Sequence, residues 1–310
     1  MNVQKIPFSA RSCDGSHDLS GVVFLPEGQI QGYFQVVHGM TDHIARYEQL
    51  MRDLASEGWL CFGHDHLGHG YTARSDEELG YIADRNGHDL LARDVGAFYK
   101  AVQKVYCTDT HRPYVLMGHS MGSFVVRYAT ARGYVKPNRL IIMGTGGPNP
   151  IAGAGLAAAN MIKLFCGKRH ISPLLEKLAF GSYNKRFSHE DPGDPVRWLT
   201  TVEENRKAYR ADKFCTFKFK VNAMCDLVRI IKLVNKKAWF KAFPKHIPVL
   251  LVAGGDDPVG DYGAGVRKVA ELLRARGVAT QCIIYDGARH EILNDTCYEQ
   301  VREDITAFIK

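Results

Sequence analysis

The chain has 310 residues, of which 45% are hydrophobic and 24% charged; this is the balance of a globular protein with one large core, and it excludes a disordered or fibrous chain. The net charge of +7 belongs to the middle, because residues 145–245 hold 19 Lys and Arg against 8 Asp and Glu while the remainder is net acidic, and such a shift marks a separate unit. The most apolar long stretch, Ile151 to Ile162, is too short to span a bilayer and contains Asn160.

Taken in chain order, Met1-Asn2-Val3-Gln4-Lys5-Ile6-Pro7 lacks the basic-then-apolar pattern of a secretory leader. Leu19–Leu25 and Gly32–His38 read as strands, and Tyr47, Leu50, Met51 and Leu54 recur at helical spacing. Trp59–Gly63 is a short strand, and Asp89–Tyr106 a helix with Leu91, Val95, Phe98, Val102 and Val105 on one face. Strand Pro113–Met117, a helix from Ser123 and strand Arg139–Met143 follow. Residues 148–245 break this rhythm: Ser172 as N-cap with Pro173 behind it, and Met224, Leu227, Val228 and Ile231 in register, predict helices, with no convincing strand. The alternation resumes with strand Pro248–Ala253, helix Asp261–Arg276, strand Gln281–Tyr285 and helix Cys297–Ile309. This order predicts a mostly parallel sheet with helices on both faces. The middle segment is then an inserted helical cap over the sheet's C-terminal edge, where such sheets bind ligands. The expected organisation is core 1–147, cap 148–245 and core 246–310.

The chemistry centres on Gly118-His119-Ser120-Met121-Gly122, placed between a strand and a helix. A serine on so tight a turn needs glycine at −2 and +2, because side chains there would strike the neighbouring strand or helix; this is the G-x-S-x-G nucleophile elbow. A serine hydroxyl also needs a base, and the base an orienting acid. His290, just past the last strand, is the candidate base, and Asp257 in Gly254-Gly255-Asp256-Asp257-Pro258 the candidate acid. Pro258 favours Asp257 by fixing the loop behind it, with Asp256 the alternative. Two backbone N–H groups should hold the oxyanion: Met121 at the start of the helix, and Met40 in the turn His38-Gly39-Met40.

Together with His38-Gly39-Met40-Thr41-Asp42-His43-Ile44-Ala45-Arg46-Tyr47, Gly63-His64-Asp65-His66-Leu67-Gly68-His69-Gly70 and Gly287-Ala288-Arg289-His290-Glu291, the elbow resembles the α/β-hydrolase superfamily. More narrowly it is similar to the monoacylglycerol lipase, lysophospholipase and serine aminopeptidase branch. The likeness spans residue 20 to the C-terminus, carried in the cap by Phe180-Gly181-Ser182-Tyr183-Asn184 and Trp198-Leu199. It implies an α/β-hydrolase fold, catalytic Ser120, Asp257 and His290, oxyanion donors Met40 and Met121, and loop support from His38, Gly39, Asp42 and Asp65. Met40 departs from the pattern, since related lipases carry a smaller residue there, and a longer side chain would narrow the acyl pocket.

The expected activity is hydrolysis of carboxylic esters, with no metal or organic cofactor, on monoacylglycerols or lysophospholipids. The apolar run Gly153–Phe165 is a candidate wall for the acyl chain. An aminopeptidase would instead need cap carboxylates to grip an ammonium, with Glu176, Glu203, Glu204 and Asp212 as candidates. A metallohydrolase could use His64, His66 and His69, although Gly68 stands where the metallo-β-lactamase-type motif needs Asp. A ligand receptor without turnover would normally lack a triad member, and none is missing. The basic cap has no regularly interleaved aromatics, which argues against nucleic acid and leaves a solvated face or transient attraction to anionic lipid. The eight cysteines (Cys13, Cys61, Cys107, Cys166, Cys215, Cys225, Cys282 and Cys297) form no C-x-x-C pair, so free thiols in a reducing cytoplasm are expected.

Overall fold

The computed structural model describes residues 2–310 apart from 107, 108, 110, 151 and 192; Cys107 and Ile151 thus lie outside the described residues. Eight strands form one sheet: β1 (Val3–Arg11), β2 (Asp18–Pro26), β3 (Gly32–Val37), β4 (Trp59–His64), β5 (Tyr114–His119), β6 (Arg139–Met143), β7 (Val249–Gly254) and β8 (Thr280–Tyr285). Their order is β1-β2-β4-β3-β5-β6-β7-β8. β1 and β2 pair antiparallel, β2 joins β4 antiparallel, and every later pairing is parallel.

The parallel strands are short apolar runs because both faces are covered. Within β5, Leu116 packs into one core and Val115 and Met117 into the other, following the two-residue period of a strand. Helices α1 (Glu48–Ser56) and α10 (Tyr298–Ile309) close one face. The other is closed by α2 (Gly87–Tyr106), α3 (Met121–Ala131) and α9 (Ala264–Arg274). Each fully buried Leu, Val, Ile or Phe in these layers contributes about 1.5–3 kcal/mol.

Between β6 and β7 the chain makes five helices and, among the described residues, no strand. They are α4 (Ala152–Cys166), α5 (Pro173–Phe180), α6 (Glu203–Ala211), α7 (Val221–Val234) and α8 (Lys237–Ala242). The Ser172 hydroxyl accepts the Leu175 N–H at 3.4 Å and caps α5, with Pro173 in its first turn. α7 packs between α4 on one side and α2 and α3 on the other. Its C-terminal end is pinned by Arg127 of α3, fully buried, which donates to Val234 O at 2.8 Å and Asn235 Oδ1 at 2.9 Å.

Two elements differ from the sequence reading. β1 was not expected, although Ile6, Phe8 and Ala10 alternate inward along it; its Pro7 is tolerated because the strand lies at the sheet edge. α9 starts at Ala264 rather than 261, because Asp261, Tyr262 and Gly263 take left-handed φ values of 51°, 52° and 85° that cannot continue into a helix. Among the described residues no helix is long and apolar enough to cross a membrane.

Candidate active site

Ser120 sits between β5 and α3 at φ 53° and ψ −119°, a conformation that costs a non-glycine residue about 1–3 kcal/mol. Hydrogen bonds hold it there: its N–H donates to Met143 O at 3.0 Å, and its carbonyl accepts the Ser123 N–H at 2.9 Å and the Ser123 hydroxyl at 2.6 Å. The flanking glycines are needed for space. A Cβ on Gly122 would lie 2.1 Å from Val37 O, and one on Gly118 would lie 2.4 Å from Gly122 O. Gly122→Ala is therefore expected to lower the unfolding free energy by at least about 2 kcal/mol, read from a lower urea midpoint at unchanged slope.

Ser120 opens into a cavity of about 750 Å³ that is also lined by His290, Met40 and Met121. Behind the imidazole, His290 Nδ1 lies 3.0 Å from Asp257 Oδ2, with both side chains buried. The contact falls short of hydrogen-bond alignment, as hydrogen bonds of this kind often do before a substrate is bound. Asp257 is oriented from the other side by the Val259 N–H at 2.8 Å. Burial pushes the His290 imidazole toward neutrality, but the Asp257 charge and contact outweigh it and hold its pKa above the ordinary value. Asp256 instead turns outward to Arg186 at 3.0 Å.

The segment between α5 and α6 also positions His290. The His290 and Glu291 N–H groups donate to Trp198 O at 3.3 Å and Leu199 O at 2.7 Å, and the Trp198 ring packs 5.0 Å from the imidazole. Arg289 reinforces the junction by donating to Arg197 O at 2.7 Å and pairing with Glu190. These backbone partners carry no side-chain signature, so the sequence offered Trp198-Leu199 only as part of a resemblance.

The turn after β3 brings Met40 beside the elbow, since a Cβ on Gly39 would stand 3.1 Å from that of Ser120. As the first residue of α3, Met121 has an N–H with no acceptor inside the helix. Asp42 braces the turn: Oδ2 accepts from Gly39 N–H at 3.1 Å and Tyr47 Oη at 2.7 Å, and Oδ1 from His43 N–H at 2.8 Å and Arg46 at 3.2 Å. Burial would raise its pKa, but the Arg46 charge leads a set of contacts that holds it low. Arg46 then makes a two-pronged pair with Glu291 at 2.7 and 2.6 Å.

His119 completes this network by donating from Nε2 to His290 O at 3.2 Å, with Tyr47 Oη 2.8 Å from its Nδ1. The Tyr47 hydroxyl thus donates to Asp42 and lies against His119 Nδ1, joining the two. The turn after β3, the elbow and the loop after β8 are tied into one buried unit. Asp42→Ala is expected to cost about 3–5 kcal/mol, because it leaves Arg46 and three donors short of a buried partner, checked by chemical denaturation.

The other loop residues are also accounted for. His38 Nδ1 donates to Gly39 O at 2.8 Å and its Nε2 accepts the His66 N–H at 2.9 Å, which joins the turn to the loop after β4. Asp65 accepts the Ile44 and Tyr71 N–H groups, each at 2.8 Å, and burial raises its pKa to about 6. His64, His66 and His69 do not converge as three donors on a point. They are buried rings, with His64 stacked on Phe98 and His69 donating to Leu67 O at 3.0 Å, and burial holds their pKa values low.

The apolar wall differs from expectation. α4 does not line the cavity; it packs on α7 and exposes Met161, Leu164 and Phe165. The apolar lining comes from Met40, Phe124, Phe180, Trp198, Leu227 and Ile231. Leu227 and Ile231 belong to the register noted in the sequence, but periodicity does not say which face of a helix meets a cavity. Of the carboxylates considered for gripping an ammonium, only Glu176 lines the cavity, and it is paired with Lys218 at 2.8 Å. Asp212 pairs with His43 and Glu203 with Lys207.

Comparison with known proteins fits this geometry. The family model described as serine aminopeptidase, S33, matches residues 28–297. Human monoglyceride lipase is 28% identical over 86% of this chain and 77% of its own length. Monoacylglycerol lipase of Mycolicibacterium smegmatis is 25% identical over 96% of this chain and 98% of its own. A thermostable carboxyl esterase from Bacillus coagulans, solved with glycerol, superposes with a TM-score of 0.90 at 28% identity, covering 100% of this chain and 98% of that one.

Proposed function

From the premise that the chain belongs to the serine aminopeptidase S33 family, has the α/β-hydrolase fold and is a carboxylic-ester hydrolase, we propose that Ser120, His290 and Asp257 are its catalytic triad and monoacylglycerols or lysophospholipids its substrates. The observation that carries this reading is that the strained Ser120 and His290, the latter backed by buried Asp257, line one apolar cavity.

Ser120 Oγ attacks the ester carbonyl carbon while His290 Nε2 takes its proton, and Asp257 fixes the tautomer and supports the imidazolium charge. The Met40 and Met121 N–H groups hold the oxyanion. Collapse expels the alcohol with the proton from His290, leaving an acyl-enzyme. Water activated by the same imidazole then releases the acid and restores the serine. A largely apolar cavity suits an acyl chain, and the absence of an unpaired cap carboxylate in its lining supports an ester over a peptide amine.

Residues 148–245 act as the cap, set between core halves 1–147 and 246–310. On the cap, Leu164 and Phe165 are 75% and 78% exposed, and Leu174 and Leu178 are also exposed, beside Lys163, Lys168, Arg169 and Lys177. This apolar and basic mixture suits transient contact with an anionic lipid surface. The free thiols among the described cysteines suit the reducing cytoplasm. Phe165→Asp is expected to weaken cosedimentation with anionic vesicles while leaving turnover of a dissolved short-chain ester unchanged.

The function is tested by comparing a monoacylglycerol with a proline naphthylamide and by labelling with a fluorophosphonate. Turnover of the glyceride and label on Ser120 support the reading. Preferential turnover of the naphthylamide would transfer it to an aminopeptidase, and an unlabelled Ser120 would remove the proposed nucleophile.

A further inference from the structure

The loop after β3 and the segment between α6 and α7 meet at a second group of chemically active side chains. His43 Nε2 lies 2.8 Å from Asp212 Oδ2. The Cys215 thiol joins them, and the three ligand atoms all lie within 4.8 Å of one another. Among the described residues, no other group of three or more His, Cys, Asp and Glu side chains gathers its donors in this way. We propose that His43, Asp212 and Cys215 form a binding site for a zinc-class divalent cation, and that an ion bound there inhibits the enzyme.

The donor set points to the metal. Imidazole, carboxylate and thiolate are the ligands Zn²⁺ takes, at bond lengths that put neighbouring donors roughly 3.3–3.8 Å apart in a tetrahedron. The widest gap therefore needs to close by about 1–1.5 Å, while the His43–Asp212 contact opens by about 0.5 Å. The side chains are held ready for this. The Phe214 N–H donates to Asp212 Oδ1 at 2.8 Å, which leaves Oδ2 directed at His43. The Cys215 N–H donates to Asp212 O at 3.0 Å and closes the D-x-x-C turn. The His43 ring packs edge-on against Phe214, 5.7 Å between centroids.

Charge is balanced as well. When the ion binds, the sulfur–metal bond replaces the S–H bond and one proton leaves to solvent. One carboxylate and one thiolate then neutralise the dication, so the loaded site beside Arg46 carries no net charge. Cys215 and Thr216 line the cavity, so the fourth position of a tetrahedron can face it and take water.

Inhibition follows from where the ligands are anchored, and it rests on the reading of Met40 as an oxyanion donor. His43 belongs to the same turn, and its N–H is bonded to Asp42, which also holds the Gly39 N–H. Binding the ion moves His43 Nε2 off Asp212 Oδ2 while Cys215 closes in, which shifts that turn, and a misplacement of about 1 Å at a reacting centre can cost on the order of 100-fold in rate.

The test uses the full chain freed of metal with a chelator, with Co²⁺ as the spectroscopic probe and Zn²⁺ as the inhibitor. Co²⁺ is expected to give a saturable sulfur-to-cobalt charge-transfer band that is absent in Cys215→Ser, weakened in Asp212→Asn and retained in Cys166→Ser, which alters an exposed thiol. Zn²⁺ is expected to inhibit p-nitrophenyl butyrate hydrolysis reversibly. Its inhibition constant should rise by more than about tenfold in both site variants, each measured against its own metal-free rate. A band that survives in Cys215→Ser, or equal Zn²⁺ inhibition of wild type and both variants, overturns the proposal. If metal-free protein turns over no ester, the cobalt titration still decides the site, and only the proposed function falls.

Discussion

Ser120→Ala is expected to lower kcat on p-nitrophenyl butyrate by about 10⁴–10⁶-fold, with the circular dichroism spectrum and urea midpoint unchanged. The magnitude follows from a residue that forms and breaks the covalent bond, so that only binding and oxyanion stabilisation remain without it. Stability should hold because the elbow is fixed by main-chain contacts and by Gly118 and Gly122 rather than by the serine hydroxyl. Triad members act as a unit, so Ser120→Ala combined with His290→Ala should be scarcely slower than either variant alone. Multiplying losses in the double variant would show that the two side chains work independently, against the mechanism.

Asp257→Asn should reduce kcat by about 10⁴-fold and also move the pH profile. The base must be neutral to accept the serine proton, so activity falls as pH drops through the pKa of His290. Burial lowers that pKa and Asp257 raises it, with Asp257 prevailing, so the wild-type acid limb should lie above the ordinary histidine value. Without the carboxylate the strongest upward influence is gone, and the limb should move to lower pH. Asp256→Asn should leave the profile in place, because Asp256 faces Arg186 at the surface. An acid limb that followed Asp256 instead of Asp257 would reassign the orienting carboxylate.

The parts of this molecule that were legible in the sequence are those with a local physical cause. Runs such as Val115-Leu116-Met117 declare a strand covered on both faces, and paired glycines around Ser120 declare a turn with no room for a Cβ. Chain order placed Asp257 and His290 after β7 and β8, and the structure brings them within 3.0 Å. What was not legible depends on distant contact. β1 alternates weakly and carries Pro7, so its pairing with β2 is apparent only in three dimensions. The apolar face of α4 gave no sign of whether it turned toward the cavity or away, and it turned away. The Tyr47, His119 and Asp42 network links residues up to 72 positions apart through two contacts on one hydroxyl, a relation that no periodicity encodes.

The attachment of the His290 loop to Trp198 O and Leu199 O bears on how this enzyme could be redesigned. A chimera that exchanged all of residues 148–245 for the matching segment of a related ester hydrolase, to change substrate preference, would remove two main-chain acceptors from beneath the His290 loop. Grafts that retain residues 197–200 and replace only the helices before or after them should inherit a new selectivity while keeping the native turnover machinery. The workable crossover points thus lie inside the insertion, some way from the sheet boundaries where a domain diagram would put them.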